Sequence, residues 1–362
     1  MAKAPLQKVL VVGCGGVGGV TAAGLAQNGV DVTAITGNPA IAEVIQERGL
    51  LLDTDTGQKS AKLHAVEKAS DLDDGVQFDV ALFATPPNFT KQALEDALPV
   101  LAPNAPCVFF QNGLAEERAK DIIGEERIVG GIVSFGASMH GPGHVERTSH
   151  GGYVVGRLNG KHDDVVEQVV ELLEKAESAE FTDNLRGARW SKLAINCAIS
   201  SLGTIGGDRL GTLMRHRFVR RLCLEVMTEV TQVAIAEGVN LEKVSGTLDL
   251  EWLSLDDDER LMAGSPTLFA KHTVLLAVGA KYRRLRSSML AAIERGREPS
   301  VDFLNGEIVD RGAKHGIPVP VNTALQQAVH DIANGDKKSA LTTLRAVFDD
   351  TRKTLRDLKL AA

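Results

Sequence analysis

The sequence has no C-x-x-C pair, no long apolar run and no excess of basic charge. Its four cysteines, Cys14, Cys107, Cys197 and Cys223, stand far apart in apolar contexts. They read as reduced core thiols, which suits the cytoplasm. A membrane-spanning helix needs about 20 consecutive apolar residues, and no stretch approaches that. The amino terminus, MAKAPLQK, enters a strand pattern with neither an apolar h-region nor a cleavage site, so no secretory signal is read there. With Lys+Arg 40 against Asp+Glu 47, the formal charge is −7. That argues against nucleic acid as the main partner, because backbone phosphates need a basic footprint. The one basic run, KYRRLR (281–286), is too short to reverse it. Also missing are G-x-S-x-G and H-E-x-x-H, so hydrolase and zinc-protease readings have no support.

What is present is length and alternation. A chain of 362 residues exceeds the roughly 250–300 that one core usually fills, so two domains are expected. KVLVVG (8–13), VDVTAIT (30–36), FDVALFAT (78–85), APCVFFQNG (105–113) and RIVGGIVSFGAS (127–138) read as strands. VTAAGLAQNG (20–29) reads as a helix closing on Asn-Gly. Strands alternating with helices imply a mostly parallel, doubly wound sheet. SMHGPGHVERTS (138–149) reads as a hairpin around Gly-Pro-Gly, GGYVVGRL as a further strand, and 163–176 as an amphipathic helix. Past about residue 183 the strand patterns stop. Helical patterns cover 184–208, 213–237, 240–295 with breaks, 301–315 and 322–358. The expected organisation is an α/β dinucleotide-binding Rossmann domain over 1–182 and an all-α substrate and dimerisation domain over 183–362. The acidic run LSLDDDERL (253–261) and the charged tail DDTRKTLRDLKL (349–360) read as solvated or interface surface. The amphipathic carboxy-terminal helices suit a homodimer.

VVGCGGVGG holds G-x-G-x-x-G as Gly13, Gly15 and Gly18, after a strand and opening a helix, the context that gives the pattern meaning. Gly13 permits the tight turn, Gly15 lets the backbone approach a pyrophosphate, and Gly18 lets helix and strand pack closely. The helix amino terminus supplies N–H groups and positive dipole to phosphates. The loop residues Cys14, Gly16 and Val17 complete the cofactor-binding segment. The second strand ends Ala34-Ile35-Thr36-Gly37-Asn38, without the acid that grips an NAD ribose. Nothing there repels a 2′-phosphate, which tilts the reading toward NADP(H). No arginine stands there either, so NAD stays open.

RWSKLAINCAISS (189–201) is an apolar helical pattern with one lysine. At spacing i, i+4, i+8, Lys192, Asn196 and Ser200 share a face. A lysine buried without an acid is costly. Either Lys192 reaches solvent at a helix end or it lines a cleft where a ligand brings negative charge. A nicotinamide enzyme that reduces a carbonyl needs a proton donor for its oxygen, and an ammonium group, with an unperturbed pKa of about 10.4, can polarise and protonate it. Asn196 would hold it in place.

With QNGLAEER (111–118), GGIVSFGASMHGPGHVERT (130–148), WSKLAINCAIS (190–200), SSML (287–290) and VDFLNGEIVDRGAKHGIPVPVN (301–322), the chain resembles the ketopantoate reductase (2-dehydropantoate 2-reductase) family over nearly its full length. The resemblance implies a Rossmann domain followed by a helical one. It also implies NADPH-dependent reduction of a 2-oxo acid to a 2-hydroxy acid, as in pantothenate synthesis. The family's catalytic lysine falls on Lys192 and its helper asparagine on Asn196. The asparagine of the Q-N-G turn, near nicotinamide and substrate, falls on Asn112. The serine that takes the substrate carboxylate falls on Ser288; a helix-capping role is the plain alternative there.

Three slots depart from the family. The glutamate that grips the ketopantoate hydroxyl is Ser300, with Glu298 two residues early. A second substrate asparagine is Ser200. The residues that hold the 2′-phosphate fall on Gly37 and Pro86, neither basic. Carbonyl chemistry is thus expected to be retained and recognition of the distal hydroxyl altered. The helical domain also carries extra sequence around 248–285. The partner implied is a small 2-oxo acid that sits in the cleft between the domains. No metal is expected: His140, His144 and His150 cluster in the hairpin but lack a fourth donor. Two other readings stand beside this one: a β-hydroxy-acid dehydrogenase, which also pairs a Rossmann domain with a helical K-x-x-x-N, and a non-catalytic NADP(H)-binding sensor.

Overall fold

The structure is a computed structural model that describes residues 6–243, 248–261 and 264–361. Residues 1–5, part of the amino-terminal reading, and 244–247 and 262–263, within the 240–295 helical stretch, lie outside it, as does 362. The chain divides into two compact units, Met1–Leu185 and Arg186–Ala362.

The first unit runs β1 (Lys8–Val12), α1 (Gly16–Gln27), β2 (Asp31–Ile35), α2 (Pro39–Arg48), β3 (Leu50–Thr54), β4 (Gly57–Ala61), β5 (His64–Val66), β6 (Val80–Phe83), α3 (Thr90–Ala97), β7 (Cys107–Phe109), α4 (Ala115–Ile123), β8 (Ile128–Val133), β9 (Gly136–Gly141), β10 (His144–Ser149), β11 (Tyr153–Gly156), α5 (Asp164–Glu174) and β12 (Ala179–Phe181). Eight strands form one sheet in the order β12-β11-β8-β7-β6-β1-β2-β5. All neighbours are parallel except β11 against β8. Helices cover both faces, so the strands read as continuous apolar runs. Val9 and Val11 of β1 enter one core with Leu25, Leu82 and Val108; Leu10 and Val12 enter another with Phe83 and Phe109.

The remaining strands form a second sheet, β4-β3-β10-β9. The sequence reading missed β3 and β4, whose polar stretch GQKSA lies mostly exposed and carries no apolar alternation. It also took 127–138 as one strand. The chain instead leaves the large sheet after Val133, and β9 pairs antiparallel with β10 as the expected hairpin. This second sheet lies against α1. A Cβ at Gly19 would meet Val145 Cγ1 at 2.6 Å, and one at Gly16 would meet the Ala137 carbonyl oxygen at 2.9 Å. α1 is therefore enclosed on several sides, with Gly18 through Leu25 all buried, and shows no polar face.

In the second unit, every element described is a helix: α6 (Leu185–Gly206), α7 (Leu210–Leu213), α8 (Arg217–Ala236), α9 (Leu250–Leu253), α10 (Asp257–Leu261), α11 (Pro266–Lys281), α12 (Ser288–Glu294), α13 (Asn305–His315), α14 (Pro320–Ala333) and α15 (Leu341–Ala361). The single helix expected over 322–358 is two, because Gly335 takes a left-handed φ of 84° and the chain turns back to bond Ala340 N to the Ile205 carbonyl at 2.8 Å. The acidic run is only half solvated. Asp257 and Asp258 are exposed, but Glu259 pairs with Lys271 at 2.5 Å and Arg260 with Glu225 at 2.8 Å, all of them shielded from solvent. None of the described helices is long and apolar enough to cross a membrane.

Glu229 of α8 is fully buried. Its carboxylate accepts Val321 N at 2.9 Å, Asn322 N at 2.8 Å and Asn322 Nδ2 at 2.7 Å. Burial pushes the carboxyl up to about 7, against the pull of those donors and of Arg260. It holds the first turn of α14, whose free N–H groups otherwise have no acceptor. Glu229→Gln turns an amide N–H toward these donors. The expected loss is about 3 kcal/mol, the cost of orphaned buried donors. Trp190 and Trp252 are the only tryptophans and both lie in the second unit, so a urea titration followed by their fluorescence reads that loss.

Candidate active site

The β1–α1 loop gives each fingerprint glycine its own reason. Gly13 has φ +94°, donates its N–H to the Ile35 carbonyl at 2.8 Å, and leaves 2.7 Å between an added Cβ and Thr85 N. A Cβ at Gly18 would overlap the Gly13 carbonyl oxygen. At Gly15 an added Cβ would meet nothing within 4 Å. Gly15 is also the N-cap of α1, and no side chain caps that helix end. Backbone N–H groups at a helix amino terminus, reached over a glycine, suit a pyrophosphate. Gly16 faces the second sheet. Val17 is half-buried and its carbonyl accepts Thr21 Oγ1 at 2.9 Å. Cys14 is buried, and desolvation pushes its thiol up to about 12; Cys107, Cys197 and Cys223 are likewise buried and free.

The neighbouring strand ends complete this edge. After β2, Thr36 N donates to the Val66 carbonyl and Gly37 N to the Glu67 carbonyl, both at 2.9 Å. Asn38 Oδ1 is taken by Ala40 N at 3.0 Å, as the cap of α2. No carboxylate stands at Gly37, and Pro86 after β6 is exposed. After β7, Gln111 Nε2 donates to Thr85 Oγ1 at 3.2 Å, beside Gly13. That contact, with Gly113 at φ +84°, sets the turn on which exposed Asn112 sits. The fingerprint and the Q-N-G turn thus share the carboxyl edge of the large sheet.

In the second unit, α6 carries the lysine. Lys192, Ile195, Asn196, Ile199 and Ser200 are half-buried, whereas Leu193, Ala194, Cys197, Ala198, Ser201 and Leu202 are buried. The polar residues therefore occupy one partly open face. The opposite face is fixed by Asn305, fully buried, which donates to the Cys197 carbonyl at 3.3 Å and accepts Ser201 Oγ at 2.5 Å. Asn305 Nδ2 also donates to Asn322 Oδ1 at 3.0 Å, which leads to Glu229.

At the end of the open face comes α12. Its N-cap is Ser287, whose Oγ accepts Leu290 N. The same hydroxyl donates to the Ser200 carbonyl and lies 2.9 Å from Thr204 Oγ1. Gly203 permits this approach, since a Cβ there would lie 3.0 Å from Ser287 Cβ. Capping thus falls to Ser287, and Ser288, the first residue of α12, is exposed. Ser300 is half-buried at the start of a 3₁₀ turn, Ser300–Phe303, that leads to Asn305; Glu298 is exposed. The sequence reading missed Ser287, Gly203, Asn305 and Asn322. Only a second serine beside Ser288, and a glycine three turns past Lys192 on its face, hinted at the first two. In the hairpin, each histidine meets its own carboxylate: His140 with Glu146 at 2.6 Å, His144 with Asp53 at 2.7 Å, His150 with Asp55 at 3.1 Å.

The profile of the family described as Ketopantoate reductase PanE/ApbA matches residues 9–160, and that of its C-terminal domain matches 184–333. A 2-dehydropantoate 2-reductase of Pyrococcus horikoshii is 26% identical over 335 residues, covering 91% of this chain and 100% of the relative. The crystal structure of a PanE/ApbA family ketopantoate reductase from Ralstonia eutropha JMP134 superposes with a TM-score of 0.76 at 28% identity, over 91% of this chain and 99% of that one. A D-mandelate dehydrogenase, solved with NADH and anilino(oxo)acetate, shares the fold with a TM-score of 0.77 at 20% identity, over 91% and 99% of the two chains. The chain belongs to the ketopantoate reductase family of oxidoreductases.

Proposed function

We propose that this chain reduces a 2-oxo acid to a 2-hydroxy acid with NADPH, and that Lys192 is the general acid. The observation that carries the reading is the open face of α6. Lysine, asparagine and serine lie in line, beside Ile195 and Ile199, on the partly open face of the helix, and the exposed Ser288 follows Ser287, whose hydroxyl binds the Ser200 carbonyl. The backbone of Gly13 to Gly18 would hold the pyrophosphate, with Asn112 at the adjoining strand end. When bound, the dinucleotide supplies hydride for the carbonyl carbon. Lys192 polarises the carbonyl and gives its proton to the oxygen. Asn196, one turn along, orients the ammonium group and the substrate. Ser288 takes the carboxylate. The absence of a carboxylate at Gly37 supports NADPH over NADH, because an acid there would repel a 2′-phosphate.

Lys192→Ala should lower kcat by about 10²–10⁴, the usual share of a positioned acid, and leave the NADPH dissociation constant unchanged. An unaltered turnover number rejects the lysine's assignment. If no 2-oxo acid oxidises NADPH at all, a cofactor-binding sensor is the better account.

Ser300 and Ser200 offer a distal hydroxyl neutral partners where the family uses a glutamate and an asparagine. A hydrogen bond to a charged group contributes about 1.5–3 kcal/mol. Ketopantoate should therefore be preferred by less than about tenfold in kcat/KM over 2-oxo acids of similar branching that lack the hydroxymethyl group. A wide preference for ketopantoate would show that another residue grips the hydroxyl.

Ser287 places Ser288. Ser287→Ala should raise KM for the 2-oxo acid several-fold with little change in kcat, and Ser287→Thr should restore it. The corresponding 2-oxo ester, without a carboxylate, should be indifferent to both. If Ser288→Ala raises KM and Ser287→Ala does not, Ser288 binds the carboxylate without help from its neighbour.

A further inference from the structure

The carboxyl edge of the large sheet, where the fingerprint lies, carries very little charge. In the three residues that follow each of β1, β2, β5, β6, β7 and β8, the only lysine or arginine is Lys68 and the only acid is Glu67. Both follow β5, the strand beside β2. Gly37 and Pro86, which stand where the family keeps its basic residues, hold no charge. A dinucleotide with a 2′-phosphate needs a cation at this end of the edge, and the chain offers one candidate.

The register of β2 and β5 decides where that candidate stands. Ile35 pairs with Val66, and both side chains enter one core. The parallel bonding continues past the strand ends: Thr36 N reaches the Val66 carbonyl and Gly37 N the Glu67 carbonyl, both at 2.9 Å. Thr36 therefore lies opposite Glu67, and Gly37 opposite Lys68. Lys68 is still extended, at φ −141° and ψ 162°, so side chains keep alternating through it. Lys68 follows Val66 on the face that Gly37 shares, and Glu67 falls on the other. A Cβ at Gly37 would meet nothing within 4 Å, so that position is open.

Two further features suit an anion there. Asn38 caps α2 by accepting Ala40 N on Oδ1 at 3.0 Å, which leaves the donor end of its amide. The Lys68 ammonium is also lightly held. It lies 4.0 Å from Asp71 Oδ1, with 64% of its side chain exposed, while Asp71 Oδ2 accepts Lys68 N at 3.2 Å. An exposed pair at that distance contributes little, so the ammonium is at small cost to redirect.

We infer that Lys68 supplies the charge missing at Gly37 and Pro86 and selects a dinucleotide that carries a 2′-phosphate, with Asn38 as a second donor. The inference rests on the NADPH reading and names the residue that decides it. The cation sits on the neighbouring strand end, and the register of the sheet brings it to the slot beside Gly37.

The test is titration calorimetry of NADPH and of NADH on the full chain, with no 2-oxo acid present. Lys68→Gln should weaken NADPH by about 10- to 100-fold, the worth of a hydrogen bond to a charged group, and leave NADH unchanged. Lys68→Arg should keep most of the NADPH affinity, and Lys68→Glu should make NADH the tighter ligand. Added salt should weaken NADPH more for the wild type than for Lys68→Gln. The side chain is exposed, so all three variants should keep the wild-type melting temperature without cofactor. NADPH binding that is tight and indifferent to Lys68→Gln overturns the inference and leaves the NADPH reading standing. An equal loss for NADPH and NADH also overturns it, because the lysine then serves a part that the two share. A wild type that prefers NADH overturns both readings.

Discussion

A helix cannot offer lysine, asparagine and serine on one partly open face unless its other face is satisfied without water. In α6 that demand falls on Asn305. Its amide takes the Ser201 hydroxyl and reaches the Cys197 carbonyl, and it passes a hydrogen bond to Asn322. Asn322 in turn hangs on Glu229, which also gathers the first N–H groups of α14. Five residues from four helices form one dry chain. Low dielectric strengthens such a chain when every member is paired and penalises it when one is lost. The rotation of α6 about its axis is therefore fixed at the turns that carry Asn196 and Ser200. The segment 301–322, which shows only a family likeness in the sequence, acquires a physical reason: its two asparagines and its Val-Pro-Val-Asn turn hold the working helix in register.

The first unit solves a different problem by omission of side chains. α1 must lie on the large sheet, under the second sheet and against its own loop at once. Gly16 and Gly19 admit the second sheet, Gly18 admits the Gly13 carbonyl, and Gly13 admits Thr85. Gly15 alone has space above it. The same row of glycines thus packs the helix and leaves its amino terminus bare. A side chain at any of the packed positions would move the helix end, with its uncapped N–H groups, away from β1. Packing and the bareness of that amino terminus are set here by one constraint.

Much of this was legible in the sequence where a residue type has one physical use. The parallel strands β1, β2, β6 and β7 read as apolar runs because helices cover both faces. Gly13-x-Gly15-x-x-Gly18 read correctly in its strand–helix context, and the spacing of Lys192, Asn196 and Ser200 gave the stripe. β3 and β4 were invisible because the polar outer strand lacks alternation, and the strand break after Val133 because apolar residues continue across it. Asn305, Asn322 and Ser287 were invisible for a deeper reason. Each acts by bonding a group 17 to 108 residues away, and no local pattern announces such a partner. The acidic run misled in the same way: Glu259 and Arg260 look solvated by composition, yet pair with Lys271 and Glu225.

The division between fixed and adjustable positions follows from burial. Lys192 and Asn196 stand on a helix whose register is locked from behind, so the placement of their side chains is insulated from changes elsewhere. Ser300 is half-buried on a short 3₁₀ turn, and Ser200 lies on the open face of α6 with its carbonyl, not its hydroxyl, tied to Ser287. Changing either side chain removes no member of the buried chain. Departures from the family at these two positions, with the lysine and asparagine kept, therefore fit a shift in the acid accepted rather than loss of the reaction. Residues at the end of the stripe can change because the dry network behind it holds the helix in place.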